Sequence, residues 1–125
     1  MFDWQPEYSV GFAEIDALHR QVFQTAGELH AAIVAGRPQD TLARLLAALV
    51  SRTRAHFTAE ESLMQSSQYP ESARHKGKHE AMGVKLIALQ DSRPSVEMMQ
   101  SLKSLLIRHI DEEDRGLGRY LASRA

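Results

Sequence analysis

Histidine and carboxylate side chains occupy core positions in the amphipathic segments of this 125-residue chain. Five of the six histidines fall where a helical bundle would bury leucine or isoleucine: His19, His56, His75, His79 and His109. Four of these belong to the short motifs His56-x-x-x-Glu60, His75-x-x-x-His79 and His109-x-x-x-x-Asp114. Because such groups are costly to bury without a partner, seven of them in one core favour a metal site.

Apolar residues recur at steps of three and four, which is the spacing of an amphipathic helix. The pattern predicts helices over residues 16–35, 39–66, 71–90 and 95–113, after an arm of residues 1–13. Asp16 is a plausible N-cap, Gly36 stops the first helix, and a short terminal helix would carry Leu117 and Leu121. With no strand pattern, we expect an all-α, antiparallel up-down-up-down four-helix bundle in one domain, 1–125.

Composition excludes several classes of protein. The net charge of −1 leaves no basic surface for nucleic acid. The absence of cysteine excludes disulfides, zinc–thiolate sites and cysteine-ligated iron–sulfur clusters, so any metal must bind nitrogen and oxygen ligands. The N-terminus lacks the basic and apolar regions of a signal peptide, and no apolar run reaches the ~18 residues of a membrane span. We expect a cytoplasmic monomer that binds no membrane.

Taken singly, each motif also has an ordinary structural explanation. His75 and His79 are about 40° apart around a helix and about 6 Å apart along it, so both rings reach one metal, yet such pairs are often solvated. His56 and Glu60 could form a buried hydrogen bond, and His19 could be a lone core histidine. Glu61 lies one step off the apolar stripe, where we expect it to face solvent.

The His109 motif does not fit a straight helix. Position i+5 is about 140° from position i, so simple geometry favours Glu112 or Glu113 as the partner of His109. Choosing Asp114 requires a helix that ends or bends there.

The heights of the candidates agree across the predicted bundle. In an antiparallel arrangement the start of the first and third helices and the end of the second and fourth lie at one end, and all seven candidates fall there. His30 shares a face with His19 but lies about 16 Å further along the axis, so we expect it to be structural.

The ordered motifs resemble those of the hemerythrins, and among them the single-domain bacterial type, the bacteriohemerythrins. The resemblance covers nearly the whole chain. It runs through Trp4…Tyr8-Ser-Val-Gly11, Ile15-Asp16-Ala-Leu-His19, His56-Phe-Thr-Ala-Glu60-Glu61-Ser-Leu-Met64, Tyr69-Pro70, His75-x-x-x-His79 and His109-Ile110-x-x-x-Asp114.

The resemblance implies a non-haem di-iron centre, with two iron ions that bind O2 reversibly. One iron would be ligated by His75, His79 and His109, and the other by His19 and His56. Glu60 and Asp114 would bridge the pair, with an oxo or hydroxo group as third bridge. The two-histidine iron would keep an open position for O2.

Reversible O2 binding needs a dry pocket. Leu106 and Leu105 lie three and four positions before His109 and therefore face the same way as its ring. We expect the walls of the pocket to include Leu105, Leu106, Ile110, Phe23 and Phe57. We expect an oxygen-binding protein for storage, delivery or buffering, rather than an enzyme. The alternatives are a sensing or iron-handling module that acts through an unidentified protein partner, and a di-iron oxidase or peroxidase.

Overall fold

A computed structural model describes residues 1–124, and Ala125 lies outside the described residues. Five α-helices, a short 3₁₀ turn and one π-helical turn make up the described chain. The helices are α1 (Ala13–Val34), α2 (Gln39–Ser66), α3 (Ser72–Leu89), α4 (Val96–His109) and α5 (Arg115–Ser123). The 3₁₀ turn is Pro6–Tyr8, and the π-helical turn is Ile110–Asp114.

The long helices α1 to α4 form the predicted four-helix bundle, and residues 1–124 contain no β-strand. Helix α1 packs against α2 and α4, and α3 packs against α2. The core contains the predicted apolar stripes, for instance Ile15, Leu49 and Leu86, each fully buried. In the part of the chain that the structure describes, we find no helix with the length and apolar character that a membrane crossing requires.

The end of α1 follows the sequence prediction closely. Gly36 adopts a left-handed conformation with a φ of 70°, which a residue without a Cβ tolerates best. Its N–H donates to Ile33, and the N–H of Arg37 donates to Ala32. These two bonds satisfy carbonyl groups that the helix end leaves free. The chain then turns into α2, for which Pro38 occupies the N-cap position.

The prediction that Asp16 caps the first helix is wrong. Helix α1 begins at Ala13, with Phe12 at the N-cap, so Asp16 lies inside the first turn and is buried. Its carboxylate accepts hydrogen bonds from Ser9 Oγ (2.6 Å) and from the N–H of Val10 (2.9 Å). The aspartate therefore holds the N-terminal arm against the bundle instead of capping the helix.

The predicted fourth helix, 95–113, is interrupted in the structure. Ser95 is its N-cap and accepts a hydrogen bond from the N–H of Met98 (3.1 Å). Helix α4 ends at His109, and the π-helical turn carries the chain into α5. Helix α5 buries Leu117 and Leu121, as predicted for the short terminal helix.

Candidate metal centre

The seven candidate side chains meet at one end of the bundle. All are buried, with at most 6% of the surface of any one exposed. One comes from α1, two from α2, two from α3, one from the end of α4 and one from the π-helical turn: His19, His56, Glu60, His75, His79, His109 and Asp114. Burial of five imidazoles and two carboxylates in one place requires strong mutual compensation.

The π-helical turn answers the question that helical geometry left open. In a π-helical turn each backbone hydrogen bond joins residues five apart instead of four, and such turns are frequent at functional sites. Across it, His109 Nε2 lies 3.1 Å from Asp114 Oδ1. Glu112 is exposed, and Glu113 is buried with its Oε2 atom 3.3 Å from Arg74. Asp114, and not either glutamate, therefore faces the cluster.

The cluster divides into two groups that share both carboxylates. Ligand atoms within 4.8 Å of one another are offered by Glu60, His75, His79, His109 and Asp114 in one group, and by His19, His56, Glu60 and Asp114 in the other. Each carboxylate turns one oxygen to each group. Glu60 Oε1 lies 3.0 Å from His79 Nε2, and Glu60 Oε2 lies 2.6 Å from His56 Nε2. The arrangement suits two cations bridged by two carboxylates.

Asp114 shows the same division, but its short contacts with the imidazoles lack hydrogen-bond geometry. Its Oδ1 atom is 2.9 Å from His75 Nε2, and its Oδ2 atom is 2.9 Å from His19 Nε2. Neither oxygen has a hydrogen-bond partner among the described residues, nor do the Nε2 atoms of His75 and His109. Buried polar atoms without partners are costly, and a cation between them would satisfy them together. The residues therefore fit a metal.

The clustered imidazoles and carboxylates shift one another's pKa values. Burial by itself lowers the pKa of His19 and His75, but Asp114 and Glu60 outweigh it and raise the pKa of each to about 9. Burial raises the pKa of Glu60, yet His56 and the other histidines hold it well below its usual range. Burial and the charge of Glu60 act upward on the pKa of Asp114, while the neighbouring imidazoles of His109, His19 and His75 hold it below its usual range.

A small apolar cavity lies beside the cluster. It has a volume of about 10 Å³, which is room for about one water molecule. Four of the five predicted pocket residues line it: Phe23, Phe57, Leu106 and Ile110. Leu105 does not, and lines a different, more open cavity instead. Val22 and Met82 also line the small cavity, where the sequence analysis did not predict them.

The cavity is adjacent to both histidines of the smaller group. His19 and His56 line it, whereas His109 is the one histidine of the larger group that does so. The shared carboxylate Asp114 lines it as well. A small ligand in the cavity would therefore be next to the two-histidine group, where fewer protein ligands surround a cation.

The structure agrees with the sequence prediction for His30 but not fully for Glu61. His30 is partly buried and packs against Phe2 (ring centroids 6.4 Å apart), outside the cluster as expected. Glu61 does not simply face solvent, because its Oε2 atom lies 2.9 Å from His79 Nδ1. A position one step off the stripe gave no signal of this contact, which depends on the neighbouring helix.

Comparison with known proteins identifies the family. A family model described as the Hemerythrin HHE cation binding domain matches residues 10–121. The chain belongs to the hemerythrin family. Among curated hemerythrin relatives it is similar to the bacteriohemerythrin of Stenotrophomonas maltophilia, at 29% identity over 90% of this chain and 74% of the relative. The bacteriohemerythrin of Pseudomonas aeruginosa is 30% identical, over 90% and 76%.

Solved hemerythrin structures share the fold. The crystal structure of wild-type hemerythrin superposes with a TM-score of 0.88, at 23% identity, over 95% of this chain and 96% of that one. A mutant form of hemerythrin, in which alanine replaces one leucine, gives the same TM-score of 0.88 at 22% identity, over 95% of both chains. The four-helix bundle predicted from the apolar stripes is therefore the hemerythrin fold.

Proposed function

We propose that this protein binds O2 reversibly at a non-haem di-iron centre. The observation that carries the proposal is the division of Glu60 and Asp114, each of which directs one oxygen to a three-histidine group and the other to a two-histidine group. Two bridging carboxylates with five imidazoles form a nitrogen–oxygen donor set that suits iron by ligand type. When bound, the iron pair would supply the electrons that O2 binding requires.

The residues of the site would act either as metal ligands or as walls of the small cavity. His75, His79 and His109 would hold one iron, and His19 and His56 the other. The unequal numbers leave more free coordination at the two-histidine iron, and an open position is what a metal needs to accept an outside ligand. That position would face the small cavity, since His19 and His56 both line it.

The cavity walls would keep water from the bound oxygen. Phe23, Phe57, Leu106 and Ile110 are apolar and buried, and the space between them is about 10 Å³. Exclusion of water prevents side reactions of a reactive bound species. This supports reversible binding over an open catalytic site.

Two observations weigh against a di-iron oxidase. Bundled oxidases of that type use a Glu from each of two helices and a Glu-x-x-His motif from each of the other two. The cluster here has five histidines and two carboxylates, and the cavity has no room for an organic substrate. Family membership also supports an oxygen-binding protein rather than an enzyme.

The test is oxygen addition to the reduced, iron-loaded protein. We expect two irons per chain and a visible charge-transfer band that appears with O2, disappears under vacuum and returns on re-addition. His56→Ala should abolish the band, whereas His30→Ala should retain it, because His30 lies outside the cluster. A band that decays irreversibly would favour the oxidase, and one zinc without iron would contradict both functions.

A further inference from the structure

The outer ring nitrogen of His79, Nδ1, has a hydrogen-bond partner, unlike the Nδ1 atoms of three other histidines in the cluster. His79 Nδ1 lies 2.9 Å from Glu61 Oε2, with hydrogen-bond geometry. The Nδ1 atoms of His19, His56 and His75 are buried and have no partner among residues 1–124. A carboxylate therefore contacts the Nδ1 atom of one member of the three-histidine group, whereas within residues 1–124 the Nδ1 atoms of both members of the two-histidine group have no partner.

The contact defines which ring nitrogen of His79 carries its proton. A carboxylate only accepts hydrogen bonds, so Nδ1 must be the donor. With Nδ1 keeping its proton, Nε2 is the nitrogen whose lone pair a metal would take, and it faces the cluster, 3.0 Å from Glu60 Oε1. Phe57 stacks on the same ring, with centroids 4.1 Å apart and planes 14° apart. The orientation and the tautomer of this imidazole are both constrained from outside the cluster.

Glu61 reaches His79 because α2 and α3 lie side by side. Glu60 and Glu61 are neighbours on α2, so one points into the cluster and the other toward α3. Glu61 is about 30% exposed and lines a surface cavity between these helices, together with Lys76 and Val84. Its carboxylate is thus partly solvated, which lowers the cost of keeping it charged next to a buried ring.

We propose that Glu61 is a positioning residue that orients His79 for metal and strengthens the three-histidine group relative to the two-histidine group. A hydrogen bond from the outer nitrogen to a carboxylate fixes the ring and makes the inner nitrogen a better donor, and losing it costs about 10- to 100-fold in metal affinity. The three-histidine group therefore fills first when metal is limiting. This inference rests on the proposed metal centre.

The experiment is a zinc titration of the metal-free protein against a chromophoric chelator. Wild type should take up two zinc ions, the first more tightly. Glu61→Ala should weaken the first site about 10- to 100-fold, whereas Glu61→Gln should retain most of the affinity because the amide oxygen still accepts from Nδ1. Glu80→Ala is the matched control, since Glu80 is exposed and lines the same cavity, but the hydrogen bonds of the His79 ring go to Glu60 and Glu61 instead.

Nuclear magnetic resonance of the zinc-loaded protein adds a readout that a general loss of stability would not move. The Nδ1 proton of His79 should be protected from exchange in wild type and Glu61→Gln, and exposed to exchange in Glu61→Ala. Equal first-site affinity in wild type and Glu61→Ala, or an equally protected proton, would overturn the role of Glu61 while leaving the metal centre intact. A wild-type protein that does not bind two zinc ions would overturn the centre as well.

Discussion

His109 and Asp114 meet across five residues of the chain, with Nε2 of the histidine 3.1 Å from Oδ1 of the aspartate. In a continuous α-helix the two would be about 140° apart. The π-helical turn Ile110–Asp114 rotates the aspartate back onto the side of His109. The turn thus places the carboxylate of Asp114 where two groups of histidines can share it.

Asp114→Asn should reduce the number of divalent metals bound from two to one or fewer. The amide keeps the size of the side chain but offers one neutral acceptor oxygen in place of two charged ones. Metal analysis after loading with excess Fe²⁺ or Zn²⁺ measures the effect. Glu112→Gln is the control, because Glu112 lies in the same turn but is exposed. Two metals per chain in Asp114→Asn would refute the bridging role.

The metal-free protein should lose stability as the pH rises from about 6.5 to above 9. His19 and His75 have a pKa of about 9 when folded, against 6.5 for the free side chain. A group with a raised folded pKa contributes stability that is fully present below the unfolded pKa and is lost as the pH rises through the folded one. Thermal unfolding measured across this range should show a falling Tm. In Asp114→Asn the fall should be smaller, since Asp114 is the main partner that favours the charged imidazoles.

Metal binding should release protons for the same reason. At pH 7 the charged forms of His19 and His75 must each lose a proton before the nitrogen can ligate a metal. We expect about two protons per chain on full loading at pH 7, and metal affinity that increases with pH toward 9. A pH indicator in weakly buffered solution measures the release during zinc addition. Release that is absent at pH 7 would show that these imidazoles are neutral in the metal-free cluster.

The sequence predicted what depends on periodicity along one helix. Steps of three and four placed His56 with Glu60 and His75 with His79 on inward faces, because side chains at those spacings share a face. Periodicity could not select Asp114, because a π-helical turn is a local change in helical pitch, and the choice came from the family resemblance. It also could not reveal the contact of Glu61 with His79, which depends on how two helices pack side by side.

The wall of the cavity shows the same limit. Leu105 and Leu106 both lie within four residues of His109, so the sequence could not separate them. In the structure Leu106 is buried against the small cavity, whereas Leu105 is only partly buried and faces the more open one. Because successive residues of an α-helix are about 100° apart around its axis, only one of the two leucines lies near the cluster.

Leu106→Ala should therefore increase the rate of autoxidation of the oxygen-bound protein, while Leu105→Ala should change it much less. Removing the Leu106 side chain enlarges the cavity and admits water beside His19 and His56. It should also destabilise the fold by about 2–5 kcal/mol, as for other truncations of buried leucines. Decay of the visible band in air gives the rate, and urea unfolding gives the stability. Equal autoxidation rates in the two variants would show that Leu106 does not protect the bound oxygen.

The N-terminal arm should be coupled to the end of the bundle that carries the cluster. The guanidinium group of Arg115, next to Asp114, donates to the carbonyl oxygens of Ser9 (2.9 Å) and Glu7 (2.8 Å). Three residues further along α5, a Cβ at Gly118 would overlap the carbonyl oxygen of Val10. The arm can lie this close only because position 118 has no side chain.

Gly118→Ala should destabilise the protein by about 1–3 kcal/mol, because the arm must shift and expose the buried Val10. Gly83→Ala is the matched control. Gly83 is also helical, but a Cβ there meets no atom within 4 Å, so alanine should stabilise by up to about 1 kcal/mol through its better helix propensity. Urea unfolding of the metal-free variants measures both. A Gly118→Ala midpoint equal to or above that of the wild type would show that the close contact between the arm and α5 does not contribute to stability.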